Sequence, residues 1–108
     1  MAEELPLGNW VKLPLGRWKC VKISKWEITE RKIYDKRLGR TKTVRALVCW
    51  VYEEDGEPVD KILSILSEKL AAMMLPYLKR PDFDKLTFCI KREGTGFATE
   101  YQLIVRGA

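Results

Sequence analysis

The chain has 108 residues, 46% of them hydrophobic and 32% charged, with twenty basic and fifteen acidic side chains and a formal net charge of +5. That balance fits one globular domain with its own core and excludes a disordered chain, and no apolar run approaches the roughly 20 residues of a membrane span. Histidine is absent; the usual general base and commonest zinc ligand are therefore missing, and we expect no enzyme chemistry, no metal site and no cofactor.

Residues 1–15 hold two prolines, a glycine and little periodicity. They read as an irregular N-terminal arm, with Trp10 folding back onto the domain. The opening MAEELPLG has neither a basic start nor an apolar stretch, so secretion is not expected and the protein reads as intracellular, in a cytoplasm, nucleoid or infected host cell. Residues 16–108 read as a single domain.

The stretch Arg17–Tyr52 contains two runs rich in Trp, Val, Ile and Thr, separated by a basic turn with its tip at Leu38-Gly39. Both runs alternate as strands do, over Arg17–Thr29 and Thr41–Tyr52. Between Arg17 and Arg45 there are eleven basic and three acidic residues, a local charge of +8, and the rest of the chain, with nine against twelve, carries −3. Asp55-Gly56 marks a hairpin turn in an acidic stretch, expected as a solvated tip, before a short strand over Val59–Leu66. Ser67 then caps a helix with an apolar stripe of Leu70, Met73, Met74 and Leu78, which Pro76 should kink or end early. Strands over Phe83–Arg92 and Phe97–Arg106 form a final hairpin around Glu93–Gly96. This Gly94-Thr95-Gly96 joins two strands, so it is no phosphate-binding loop.

The order β-β-β-α-β-β predicts an all-β to α+β protein. It matches a five-stranded Greek-key barrel of the OB type with one helix between strands 3 and 4, and an α+β sandwich is the competing fold. Cys20, Cys49 and Cys89 read as small buried hydrophobes in a reducing compartment, with an interstrand disulfide as the alternative. One Asn and one Gln among many Lys, Arg and Glu lean toward a thermophilic source.

The motif from Phe88 through Lys91-Arg92-Glu93-Gly94-Thr95-Gly96 to Thr99-Glu100-Tyr101 resembles that of the OB-fold single-stranded DNA-binding proteins of phages, archaeal viruses and archaea. The run Leu63–Leu70, with a helix ending near Leu78, is similar to their strand-to-helix element, and Gly16–Trp26 to their first strand. The resemblance covers most of residues 16–106. It implies non-enzymatic, sequence-independent binding and protection of single-stranded DNA in replication, recombination or repair.

Single strands are held by a cationic groove and by aromatic faces on which bases stack. Trp26 and Tyr34, set among Lys22, Lys25, Arg31 and Lys32, are the expected stacking platform. Arg37, Arg40, Lys42 and Arg45 suit phosphates, which set affinity without reading sequence. Lys91, Arg92 and Phe97 of the last hairpin are expected on the same groove. Trp18, Trp50 and Tyr101 read as core. An RNA-binding OB module and a protein-interaction or oligomerisation domain are the alternatives, and a homodimer stays open.

Overall fold

Alternating β-branched and aromatic residues favour the pleated, half-buried surface of a sheet, and two such runs form the longest elements. The computed structural model describes residues 10–94 and 99–107. Strand β1 spans Trp18–Asp35 and β2 spans Arg40–Glu54, antiparallel from Val21↔Glu54 out to Asp35↔Arg40. The turn at their far end is held by Asp35, whose Oδ1 accepts from the amides of Arg37 (2.9 Å) and Leu38 (3.3 Å).

Strand β3 (Glu57–Ile65) follows through Asp55 and Gly56, both at positive φ, 50° and 86°. Two consecutive left-handed residues match the right-handed twist of a tight hairpin, which is why Asp-Gly sits there. Helix α1 runs over Glu68–Leu78, and the Ser67 hydroxyl accepts from the Leu70 amide at 3.2 Å, the expected N-cap. Pro76 does not end the helix early: the Lys79 amide still reaches the Leu75 carbonyl at 3.0 Å. The last pair is β4 (Thr87–Glu93) and β5 (Glu100–Arg106), with a short 3-10 turn at Phe83–Lys85 where a continuous strand was expected.

Among the described residues the strands form one antiparallel sheet in the order β3-β2-β1-β4-β5, with β1 paired to both β2 and β4. The described residues are thus mostly antiparallel sheet with one α-helix. No pairing joins β3 to β5 among the described residues, so the sheet is open. Residues 10–15 run beside it: Trp10 bridges Ile62, the Val11 amide donates to the Ile62 carbonyl (2.9 Å), and Leu15 bridges Arg92.

The main core lies on the sheet face covered by α1. It joins Val21 and Ile23 of β1, Leu47, Cys49 and Val51 of β2, Leu63 and Ile65 of β3, and Phe88 and Ile90 of β4 to Leu70, Met74 and Leu78 of the helix. Each such side chain removed from water contributes about 1.5–3 kcal/mol. Met73, expected in the stripe, is instead exposed, because the helix meets the sheet with a narrower face than the spacing allows. A smaller cluster of Ala46, Val48 and Ile62, with Trp10 and Trp50 packed on it, occupies the opposite, outer face.

Two cysteines depart from the expected free thiols. Cys20 and Cys89 stand directly opposite each other in the β1–β4 register and are joined in a disulfide. Cys49 is free and buried, and that burial pushes its thiol up to about 12. No helix among the described residues is long and apolar enough to cross a membrane.

Candidate nucleic-acid interface

Side chains alternate between the two faces of a strand, so one extra residue exchanges every later assignment. In β1 that residue is Ser24. Ile23 pairs with Val51 and Lys25 with Trp50, so two steps on β1 oppose one on β2. Before Ser24 the odd-numbered Val21 and Ile23 face the core; beyond it the even-numbered Trp26 does. A second irregularity falls at Tyr52 of β2, whose hydroxyl donates to the Asp84 carbonyl.

This bulge puts Trp26 and Trp18, which share a parity in the sequence, on opposite faces. Trp26, read as a stacking platform, is half-buried against the main core, and its indole N–H donates to the Leu78 carbonyl at 3.1 Å. That carbonyl, at the end of α1, has no partner within the helix, and the indole satisfies it. Trp18, read as core, is exposed on the outer face instead, whereas Trp50, also read as core, packs on the smaller apolar cluster of that face. Trp18 is 40% exposed with the Lys91 ammonium 5.8 Å from its ring centroid. Trp50 is half-buried, with the Lys25 ammonium 4.7 Å from its ring. A cation over an aromatic face is held by the ring quadrupole, and it also stands where a phosphate beside a stacked base would need it.

The predicted cations divide by face and by partner. Lys25 and Lys91 reach the outer face through the two tryptophans. Lys91 also meets Glu93 at 3.1 Å, and Lys22 meets Glu53 at 3.7 Å. Arg92, expected beside Lys91, shares the core-facing parity of Phe88 and Ile90, and its buried Nε has no hydrogen-bond partner. Adjacent residues of one strand cannot both line one groove, so Arg92 leaves the candidate surface. Phe97 lies outside the described residues, as does the side chain of Arg31.

The remaining candidates sit on the far part of the β1–β2 ribbon. From Lys32 to Thr43 every residue except Asp35 is exposed, and no residue between Glu27 and Arg45 joins either apolar cluster. Tyr34 is 63% exposed there. Register places Lys32, Tyr34 and Arg45 on the face continuing from Trp26, and Arg40 and Lys42 on the other. Lys42 meets Asp35 at 3.4 Å. Asp35 is opposed by desolvation but held below the ordinary carboxylate value by the Arg37 and Leu38 amides and by Lys42.

At the opposite end of the ribbon the acidic hairpin is exposed over Asp55–Pro58, as expected of a solvated tip, but its carboxylates also reach cations. Asp55 meets Lys19 at 2.9 Å and accepts from the Cys20 amide at 3.0 Å, while Glu54 meets Lys61 at 2.6 Å and Lys19 at 3.5 Å. The hydrogen bond to Asp55 is the chief reason the Lys19 ammonium is raised above its ordinary value. These carboxylates pair with Lys19, Lys22 and Lys61 and shift the unpaired positive excess toward the distal ribbon. Among the described residues no three metal-ligating side chains gather at one place.

Comparison of the chain with protein-family models, with curated proteins and with solved structures finds no match.

Proposed function

We propose that this protein binds single-stranded DNA with little sequence preference and shields strands exposed in replication, recombination or repair. The observation that carries the reading is the pair Trp18 and Trp50, on the outer sheet face, each with a lysine ammonium over its ring. Bases stack on the indoles, phosphates meet Lys25 and Lys91, and the ribbon supplies long-range attraction. The fold we infer is an open OB-type Greek-key barrel. Supporting it, the first four strands lie in the spatial order 4-1-2-3, the arrangement of a Greek key, and α1 falls between β3 and β4. A disulfide fits an intracellular thermophilic setting as well as an oxidising one, since hyperthermophile proteins retain disulfides inside the cell.

The second reading is an interaction module, favoured by an apolar groove between Met73, Pro76 and Tyr77 of α1 and Leu103 and Val105 of β5. Fluorescence polarisation with labelled single-stranded DNA, single-stranded RNA and duplex DNA, at two salt concentrations, separates the readings. Single-strand binding should weaken with a log–log salt slope of about −0.7 per phosphate contact. Failure to bind any of the three at low salt would favour the interaction module, and preference for the RNA strand would favour the RNA-binding one.

A further inference from the structure

We infer that the distal β1–β2 ribbon grips duplex DNA in its major groove, so that the protein seats itself where a single strand meets a duplex. The inference rests on the single-strand reading above for the sheet face and assigns a different ligand to the ribbon.

Shape is the first argument. Beyond the apolar clusters the ribbon continues through six residue pairs, from Glu30↔Arg45 to Asp35↔Arg40, before its turn. At about 3.4 Å per residue it projects roughly 20 Å. Two strands about 4.8 Å apart match a major groove about 12 Å wide, which admits a two-stranded ribbon.

Charge distribution is the second. Residues 30–45 carry seven basic and two acidic side chains, a net +5. A single strand has one line of phosphates and calls for cations on one side. Here Lys32 and Arg45 stand on one face of the ribbon, and Arg40 and Lys42 on the other. Cations on both faces fit the two phosphate walls that flank a groove.

The end of the ribbon also carries exposed apolar side chains. Leu38 is 56% exposed and Tyr34 63% exposed, with no apolar cluster to cover either. Apolar side chains at a ribbon end find the thymine methyl groups on a major-groove floor. The sheet's stacking tryptophans and the ribbon thus address different nucleic-acid surfaces.

The test compares a single-stranded DNA oligonucleotide with the same strand carrying a duplex at one end. The wild-type protein should bind the tailed duplex at least about tenfold more tightly, with a salt slope steeper by about 0.9 for each added phosphate contact. Replacing residues 33–42 by Asn-Gly joins the paired Lys32 and Thr43 through a two-residue turn and should abolish that ratio. The exposed double substitution Arg40→Gln with Lys42→Gln should reduce it without touching the core. An all-RNA tailed duplex should give no gain, because the A-form major groove is too deep and narrow to enter.

Equal affinity for single strand and tailed DNA duplex, or an equal gain on the RNA duplex, would overturn the groove assignment. So would a shortened ribbon that keeps the wild-type ratio. Duplex binding without single-strand binding would instead remove the sheet-face reading and leave the ribbon standing.

Discussion

Trp26 and Trp18 share a parity in the sequence and are assigned opposite work by the fold, which makes them the sharpest test. In Trp26→Phe the indole N–H is lost while most of the ring's apolar contact stays. The Leu78 carbonyl it served, at 3.1 Å, is left half-buried without a donor. A hydrogen bond of this kind contributes about 1 kcal/mol, an unpaired buried acceptor costs about 1–3, and the smaller ring adds a packing loss. We expect a destabilisation of roughly 2 kcal/mol, a fall in Tm of about 10 °C for a domain of this size, with DNA affinity unchanged at a temperature where the variant is folded.

Trp18→Ala should behave in the opposite way. The ring is 40% exposed, so its removal leaves no large cavity, and the Lys91 contact is worth about 0.5–1 kcal/mol at an exposed site. A lost base stack costs about 1–3 kcal/mol, a weakening of roughly 5- to 150-fold. Circular-dichroism melting and polarisation titration on the two variants give the four numbers required. If Trp26→Phe melts like the wild type and binds DNA weakly, the inward placement of Trp26 is wrong. If Trp18→Ala binds as well as the wild type, the outer face is not the stacking surface.

The Cys20–Cys89 disulfide spans a sequence separation of 69 residues, and loop-closure entropy on that scale stabilises by about 4 kcal/mol; Cys20→Ala with Cys89→Ala should lose up to that amount in urea unfolding. In a thiol titration the unfolded, non-reduced chain should show one reactive thiol, from Cys49, and the reduced chain three; three without reductant would exclude the bridge. For Asp55, burial raises the carboxyl, but the Lys19 and Cys20 hydrogen bonds outweigh it and hold it below its ordinary value. Its contribution is therefore present above about pH 4 and lost as pH falls through the lowered value. Lys19, raised, contributes fully below its ordinary value and loses that contribution as pH climbs through the raised one. Asp55→Asn keeps a residue tolerant of the φ of 50° and should flatten the acid limb of the stability curve by no more than about 1 kcal/mol, the range of an exposed pair. Ser67→Ala removes the cap on the Leu70 amide and should cost about 1 kcal/mol in thermal unfolding.

The element order, the Asp55-Gly56 turn and the Ser67 cap were legible because each is a local preference: alternation, positive φ and a hydroxyl before an amphipathic run. The faces of β1 were not. Trp18, Lys22 and Trp26 sit on one parity in sequence, and only the pairing of Ile23 with Val51 and Lys25 with Trp50 exposes the extra residue at Ser24. A serine in a strand carries no signal of a bulge. Cys20 and Cys89 were unreadable as a pair for a related reason. Their contact depends on the β1–β4 register, a long-range fact that neither flanking sequence encodes. Arg92 was misplaced by proximity to Lys91, although strand alternation alone separates the two.

The charge asymmetry that first marks the ribbon is also redistributed by folding. Of the eleven cations between Arg17 and Arg45, Lys19 and Lys22 fall within reach of Glu53, Glu54 and Asp55 because β2 pairs back along β1 to its end. The acidic hairpin thus neutralises the end of the ribbon that is packed into the sheet. Asp35 is the one carboxylate near the far tip, and two turn amides already engage it. Surface ion pairs of this sort add little to stability, so their consequence is mainly to shape the field. The chain so folded presents its positive excess at the end of a projecting arm, where, on the proposed function, nucleic acid would be met first. On the same proposal, the outer face with Trp18 and Trp50 would be engaged second. The salt dependence of encounter should therefore belong to the ribbon, while the aromatic contribution to affinity should survive at salt concentrations that screen it.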